Sequence, residues 1–476
     1  MKEGLRAART ALGDRRAWLV GGAVRDRALG RSGRSADVDV VVDGDPEEAA
    51  RAVARAGDRA ACFALSEEFG AWRVVARDSS WQVDVEPLRG GSLEADLALR
   101  DFTVNAVAEP IAGGPPIDPL GGLADLAAGR LRMAGPRGFA EDPLRVLRLV
   151  RVAVDLGLRA EPDTLAAAAL QAQALSDVSP ERVFMELCQI VGAADAAAGL
   201  RLMGELGATA VVLPELEALH GVEQNRYHHL DVFGHTLEVL EWVIELTGDD
   251  ERRLEAAGSW IAPHTASLRA LLAEPLADGL TRGEALRWGA LLHDAAKPLT
   301  RETRAGDGRV TFIGHDVRGA ELARGVLERL RASERLRAHV AALVRNHLRA
   351  GFLVHAPQPL ARRTVFDYLR ACSPVEVDVT LLSIADRLAT RGEAAEQSIQ
   401  AHLRVAEGLM ADALSWRAEG PPRALIRGDE LARELGIATG PRVGELLVAI
   451  TRAQYAGEVS TPEQALACAR EIAQSI

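Results

Sequence analysis

Lysine is nearly missing from this chain: Lys2 and Lys297 are its only lysines among 56 basic residues, the rest being arginine. So uniform a bias is explained by GC-rich coding, which removes any special meaning from a single arginine and makes Lys297 stand out. Aromatic residues make up 4%. The four cysteines, Cys62, Cys188, Cys372 and Cys468, are far apart and unpaired in spacing. That excludes a disulfide framework, a disulfide-linked partner and a thiolate zinc site. No apolar run approaches the roughly 18 residues that a bilayer crossing needs. The start MKEGLRAART has no signal-peptide core, so the expected compartment is the cytoplasm with no membrane partner. A broad basic surface is also missing. With a formal charge of -12 the chain cannot coat nucleic acid indiscriminately, and any such contact must be local.

What is present is length and a change of texture. A chain of 476 residues is expected to form about three domains. From residue 17 to about 135, short β-rich runs (Trp18–Val20, Val38–Val42, Trp72–Ala76, Trp81–Pro87) alternate with helical patterns between Gly and Pro punctuation. From Glu141 onward helical spacing dominates, as in Pro143–Leu156, Arg182–Ile190, His235–Leu246 and Arg318–Leu330. The fold class is therefore α+β. Breaks around Thr247–Thr281 and Glu419–Pro422 divide the helical part, giving expected domains at 1–140, 141–224, 225–395 and 396–476. No fixed repeat argues for a solenoid.

The first constellation begins at Ala17-Trp-Leu-Val-Gly-Gly-Ala-Val-Arg-Asp26, a strand, a glycine turn and a helix start. Such a turn is a natural phosphate seat, although a tight strand-to-helix turn needs glycine anyway. The GxGxxG spacing of a dinucleotide site is not there. In Asp37-Val-Asp-Val-Val-Val42, strand alternation puts Asp37 and Asp39 on one face. A charged edge strand would explain two acids equally well. A third acid changes the balance: in Trp81-Gln-Val-Asp-Val-Glu-Pro87 the apolar residues share one face, and Asp84 and Glu86 the other. If these strands are neighbours, three acids converge where Mg²⁺ could activate a hydroxyl and neutralise a leaving pyrophosphate.

Together with Arg100-Asp-Phe-Thr-Val-Asn-Ala106 and Glu141-Asp-Pro-Leu-Arg-Val-Leu-Arg148, these motifs resemble the bacterial class II tRNA nucleotidyltransferase and poly(A) polymerase family over about the first 190 residues. The resemblance implies a polymerase-β-like head, an all-α neck, an HD domain and a helical tail. It implies addition of C and A to the tRNA 3′ end from CTP and ATP. Asp37 and Asp39 would hold metal, with Asp84 as third carboxylate and proton acceptor. Gly21, Gly22 and Arg25 would hold the triphosphate, and Arg100, Asp101 and Asn105 would contact the nucleotide. One departure is Leu99, where the family usually has a second arginine. The same motifs serve poly(A) polymerases and enzymes adding only CC or only A.

Base choice has a physical rationale in Asp142 and Arg145, spaced i and i+3 with Pro143 between them at an expected helix start. An Asp cap with an intrahelical ion pair is the plain alternative. Cytosine and adenine both present an amine beside a ring acceptor, where uracil and guanine present a carbonyl. A carboxylate beside a guanidinium complements the first pair and mismatches the second. In the resembling family this motif reads the base, which also implicates Arg148.

Six of the eleven histidines fall in or beside a second set of motifs: Tyr227-His-His-Leu-Asp-Val-Phe-Gly-His235, His293-Asp294 with Lys297, Gly314-His315, Asn346-His347 and Ala385-Asp386-Arg387. Singly, a helical histidine is an ordinary core residue. Together they resemble the HD phosphohydrolase superfamily, implying that His235, His293, Asp294 and Asp386 ligate a divalent metal. His315 and His347 could complete a second position. Mixed imidazole and carboxylate ligands suit Mn²⁺, Fe²⁺, Ni²⁺ or Zn²⁺, with Mg²⁺ a further candidate, and a bound water becomes a hydrolytic nucleophile. A rival reading makes this hydrolase the main activity and the head a nucleotide or RNA sensor. Lys297 is expected either to meet a substrate phosphate or to end a helix in solvent. Leu425–Gly436 and Thr439–Leu447 read as two tail helices joined by a Gly/Pro turn.

Overall fold

The valine-rich runs pair into one mixed sheet made of β1 (Ala17–Val20), β2 (Asp37–Val42), β3 (Ala61–Ser66), β4 (Ala71–Val75), β5 (Gln82–Pro87) and β6 (Ala108–Pro110), in the order β3-β4-β5-β2-β1-β6. Only β2 and β5 run parallel; the other neighbours are antiparallel. The computed structural model describes residues 2–31, 37–66, 70–224, 229–248, 261–306, 308–392 and 395–475. One expected site residue and two motif residues are affected. Asp37 is placed in β2, but its side chain is outside the described set, as are Tyr227 and His228 entirely.

One sheet face is dry. Val38, Val40, Val42, Val83 and Val85 are each at most 3% exposed and pack with Ala7, Ala8 and Leu12 of the helix Lys2–Leu12 and Ala49, Ala50 and Val53 of the helix Pro46–Ala56. Burying each valine is worth roughly 1.5–3 kcal/mol. A one-residue slip would expose all five and bury the acids between them, so the hydrophobic pattern fixes the register. Asp45 caps the second helix by accepting from Glu47 N at 2.9 Å, and Pro46 occupies its first turn. The opposite face carries Val20, Val41 and Ala108, covered by Leu93 and Leu97. The acids share this second face.

The chain divides into two compact units, 1–186 with 201–212, and 187–200 with 213–476. In the second, helices Val232–Thr247, Arg282–Leu292, His315–Arg329, Glu334–Asn346, Glu376–Leu388 and Ala395–Glu419 pack as a bundle. Arg282, 3% exposed, donates to both oxygens of the fully buried Asp378 and to the Pro374 carbonyl. This pair pins the helix leading into His293 against the helix that carries Asp386. The tail forms a separate apolar cluster around Leu431, Leu446 and Ile450, with helices Gly428–Leu435 and Pro441–Tyr455 on either side of Gly440.

Candidate nucleotide and metal sites

In the head, Asp39 and Asp84 are direct partners across the parallel β2–β5 pair, and Asp39 faces Val20 across β1. Directly paired residues project to the same side, so the two carboxylates share the second face. Gly21 follows at the strand end with φ +70, a conformation that favours glycine, and a Cβ there would lie 3.2 Å from Asp39 Oδ2. Asp37, two residues before Asp39 on β2, pairs in register with Gln82.

The guanidinium partners were not legible beforehand. Arg73, the antiparallel neighbour of Asp84 on β4, donates to both its carboxylate oxygens at 2.7 Å. Arg25 donates to Asn105 Oδ1 at 2.7 Å and pairs with Asp26, and Asn105 in turn donates to Asp101 at 3.0 Å. The structure thus joins three expected nucleotide contacts, Arg25, Asn105 and Asp101, in one chain of hydrogen bonds. Arg100 reaches the fully buried Asp96 at 3.3 Å and Glu86 at 3.6 Å. Thr103, inside the same motif, donates to buried Asp125 at 2.7 Å.

The helix-start geometry expected for Asp142 and Arg145 is corrected. The helix begins at Arg145, and Asp142 is extended at φ -143 and ψ 96, because the residue before a proline is pushed out of the helical region. Asp142 accepts from Arg182 at 3.0 and 3.2 Å, not from Arg145. Arg145 instead donates to the carbonyls of Leu99 and Arg100, at 2.8 and 3.3 Å. Burial pulls Arg145 below its ordinary value. Arg148 shares Glu186 with Arg151. Burial would lower Arg148, yet Asp101 and Glu186 hold it above the usual range.

The second constellation assembles at helix ends. His235 lies in the first turn of its helix, His293 and Asp294 just beyond Arg282–Leu292, His315 at the start of His315–Arg329, and His347 just past Glu334–Asn346. Around Asp294 the Nε2 atoms of His293, His315, His235 and His347 lie at 3.1, 3.3, 3.7 and 4.0 Å. His235 Nε2 is also 3.0 Å from Asp386 Oδ1. The six expected ligands therefore form one cluster.

Ring orientation tests the fit to a cation. Nδ1 of His293, His315 and His347 lies 2.6–2.7 Å from a backbone carbonyl three residues earlier, which only an N–H can satisfy. In a neutral ring so held Nε2 carries a lone pair facing inward; burial would lower His293, but Asp294 holds it above the ordinary histidine value. His315 and His347 oppose Nε2 to Nε2 at 3.3 Å, and burial pulls His347 down to about 4. Lone pairs at that distance repel unless a cation lies between them. Burial would raise Asp294, but His293 and Lys297 hold it well below the ordinary carboxylate value. The buried donors fit one or two divalent ions, as His235, His293 and Asp294 or as Asp294, His315 and His347. Lys297 is not a solvated helix end: it is 7% exposed, with Nζ 2.6 Å from both Asp294 and Gln224.

A paired-acid sheet face and a helix-end His/Asp cluster define a nucleotidyltransferase head joined to a metal-binding helical domain. Three family models match: "Poly A polymerase head domain" at 17–132, "Probable RNA and SrmB- binding site of polymerase A" at 157–219, and "HD domain" at 232–391. The A-adding tRNA nucleotidyltransferase of Deinococcus radiodurans is 38% identical over 455 residues, covering 94% of each chain. The CC-adding tRNA nucleotidyltransferase of Thermus thermophilus is 35% identical, covering 95% of this chain and 92% of the relative. A solved Thermotoga maritima CCA-adding enzyme complexed with tRNA shares the fold, with a TM-score of 0.59 at 19% identity over 99% of this chain and 94% of that one. The chain belongs to the tRNA nucleotidyltransferase family. Among the described residues no helix is long and apolar enough to cross a membrane, and the four cysteines are free thiols.

Proposed function

We propose that the head adds C and A to the 3′ end of tRNA, taking CTP and ATP as donors. The observation that carries this reading is the Asp39–Asp84 register pair beside the Gly21 turn. The RNA 3′-oxygen bonds the α-phosphorus, the bond to the β-phosphate oxygen breaks, pyrophosphate leaves and the hydroxyl proton passes to a base. Asp37, Asp39 and Asp84 would hold Mg²⁺, which would supply charge neutralisation for that displacement. Arg73 fixes the Asp84 carboxylate, which is assigned the proton-accepting role. Gly21 and Gly22 let the triphosphate approach the backbone and Arg25 holds it, while Arg100, Asp101 and Asn105 contact the nucleotide. Base choice is assigned to Asp142, Arg145 and Arg148; engaging a base requires Asp142 to exchange Arg182, and Arg145 its carbonyl partners, for the base edge. The domains are read as head 1–140, neck 141–224, HD 225–395 and tail 396–476, and a cytoplasmic setting fits the free thiols.

The HD cluster is assigned phosphoester hydrolysis. Its donors suit Mn²⁺, Fe²⁺, Ni²⁺ or Zn²⁺ better than Mg²⁺. A water oxygen bonds phosphorus while the ester oxygen departs with a proton.

One observation favours a narrower reading of the head, addition of CC alone or A alone: three relatives matched over 94–95% of this chain carry such names, one A-adding and two CC-adding. A single experiment separates them. A tRNA transcript ending before CCA is supplied with CTP, ATP or both, and product length is read. CC followed by A supports the proposal. CC alone supports the narrower reading; A added only to a transcript ending in CC does the same. Long A tails overturn both.

A further inference from the structure

We propose that Arg89, with the bare turn Gly90-Gly91 beside it, seats a backbone phosphate of the RNA strand being extended, which makes this arginine a substrate-binding residue of the head. The inference rests on the transferase reading and adds a contact on the strand side of the reaction.

A buried carboxylate sets the arginine. Asp96 is 0% exposed, and its Oδ1 accepts from both the backbone N and the Nε of Arg89, at 3.2 and 3.0 Å. Its other oxygen accepts from Arg100 at 3.3 Å. A carboxylate taken out of water needs such partners, and here two guanidinium groups share one. Glu86, 3.6 Å from Arg100, is the counter-charge on that side. The Arg89 side chain is 36% exposed, and among the described residues no partner meets its two terminal nitrogens. That free edge can donate two parallel hydrogen bonds to a phosphate.

The backbone next to it is open. Gly90 and Gly91 have φ of +70 and +80, which favours glycine. A Cβ at Gly90 would lie 2.8 Å from Ala95 Cβ, whereas no described residue would come within 4 Å of one at Gly91. The first glycine therefore packs the turn against the helix Leu93–Ala98, and the second leaves room for a strand to pass close to the chain.

Position along the sheet selects the occupant. β1 runs antiparallel to β2, so Gly21, which follows Val20, sits toward the N-terminal end of β2. β5 runs parallel to β2, so Arg89 lies past its C-terminal end, where Leu88 N donates to the Val42 carbonyl at 2.9 Å. The register pair Asp39–Asp84 stands between them. In-line displacement puts the attacking oxygen and the departing pyrophosphate on opposite sides of the α-phosphorus. The triphosphate is assigned to the Gly21 end, where Arg25 and Arg100 lie beside the two glycines. The strand that carries the attacking oxygen then arrives from the Arg89 end. The nucleotide's own triphosphate is the other source of a phosphate, and the kinetics separate the two.

The test uses the full chain and a tRNA transcript ending before CCA. R89A is expected to raise KM for the transcript about tenfold, with KM for the added nucleotide within about twofold, and to lower the slope of log affinity against log salt, measured without nucleotide, by about 0.7. R89K keeps the charge and loses the fork, so it should retain the slope and recover part of the affinity. A transcript trimmed to its last base pair should bind R89A and parent equally. R89Q, which keeps a donor toward Asp96, replaces R89A if urea unfolding shows that the alanine variant has lost its fold. A rise confined to KM for the nucleotide moves Arg89 to the triphosphate and overturns the proposal. A fall in kcat alone, an unchanged salt slope, or an equal loss with the trimmed transcript also overturns it. If the parent extends no RNA, the transferase reading fails, and the salt slope still decides the Arg89 assignment.

Discussion

The two sites of this chain hold carboxylates in opposite ways. In the head, Asp39 and Asp84 stand on a sheet face, and Asp84 takes its nearest counter-charge from Arg73 on the adjoining strand. In the HD domain, Asp294 is 1% exposed and ringed by imidazole nitrogens, three of the rings held by the backbone carbonyl three residues earlier. The first arrangement suits a well-hydrated hard cation that arrives with its nucleotide; the second suits a divalent ion held by imidazole and carboxylate donors. On the proposed reading a single chain keeps two metal chemistries apart, using strand alternation for one and helix ends for the other.

The sharpest way to break that separation is D39A. Nucleotide addition is expected to fall at least on the order of 10³-fold, about 4 kcal/mol of barrier, with HD-domain metal content unchanged. Loss of both properties in a folded variant, by primer extension and metal analysis, would show the sites are not independent. Next comes D378A, which leaves Arg282 buried without its partner; a cost of about 3–5 kcal/mol is expected in urea unfolding. The penalty should appear in the HD domain, and an unchanged midpoint would remove the ion pair from the account of how His293 and Asp386 are positioned.

D294N should weaken divalent-metal retention at least about a hundredfold while nucleotide addition persists. Equal metal content in variant and parent after dialysis would contradict the cluster as the resident site. The smallest effect is a pH dependence at His339, which faces Asp378, Arg282, Arg417 and Arg335. Burial pulls it from 6.5 to about 4. Because the unfolded chain takes up this proton first, the contribution is fully present above 6.5 and is lost as pH falls toward about 4. Between about pH 7.5 and pH 5 roughly 2 kcal/mol should disappear. H339F should flatten that part of the stability profile, and an unaltered profile would count against the buried neutral ring.

Short-range pattern was enough for much of this molecule. Alternation of Val38, Val40 and Val42 with Asp37 and Asp39 defined β2, and clustered His and Asp marked the side chains that gather around Asp294. It failed where the signal was weak: β3 shows no alternating apolar face, and β6 is only three residues long. The helix start was misplaced because Pro143 acts on the conformation of Asp142 before it.

The amino-acid order by itself determined which side chains share a face, since strand and helix periods are properties of a few consecutive residues. Tertiary structure alone decided that β5 lies beside β2, that Arg73 faces Asp84, that Arg182 holds Asp142, and that four helix ends meet at Asp294. Those pairings depend on strand order and helix packing between distant segments, and the energy that selects them comes from burying the whole core at once.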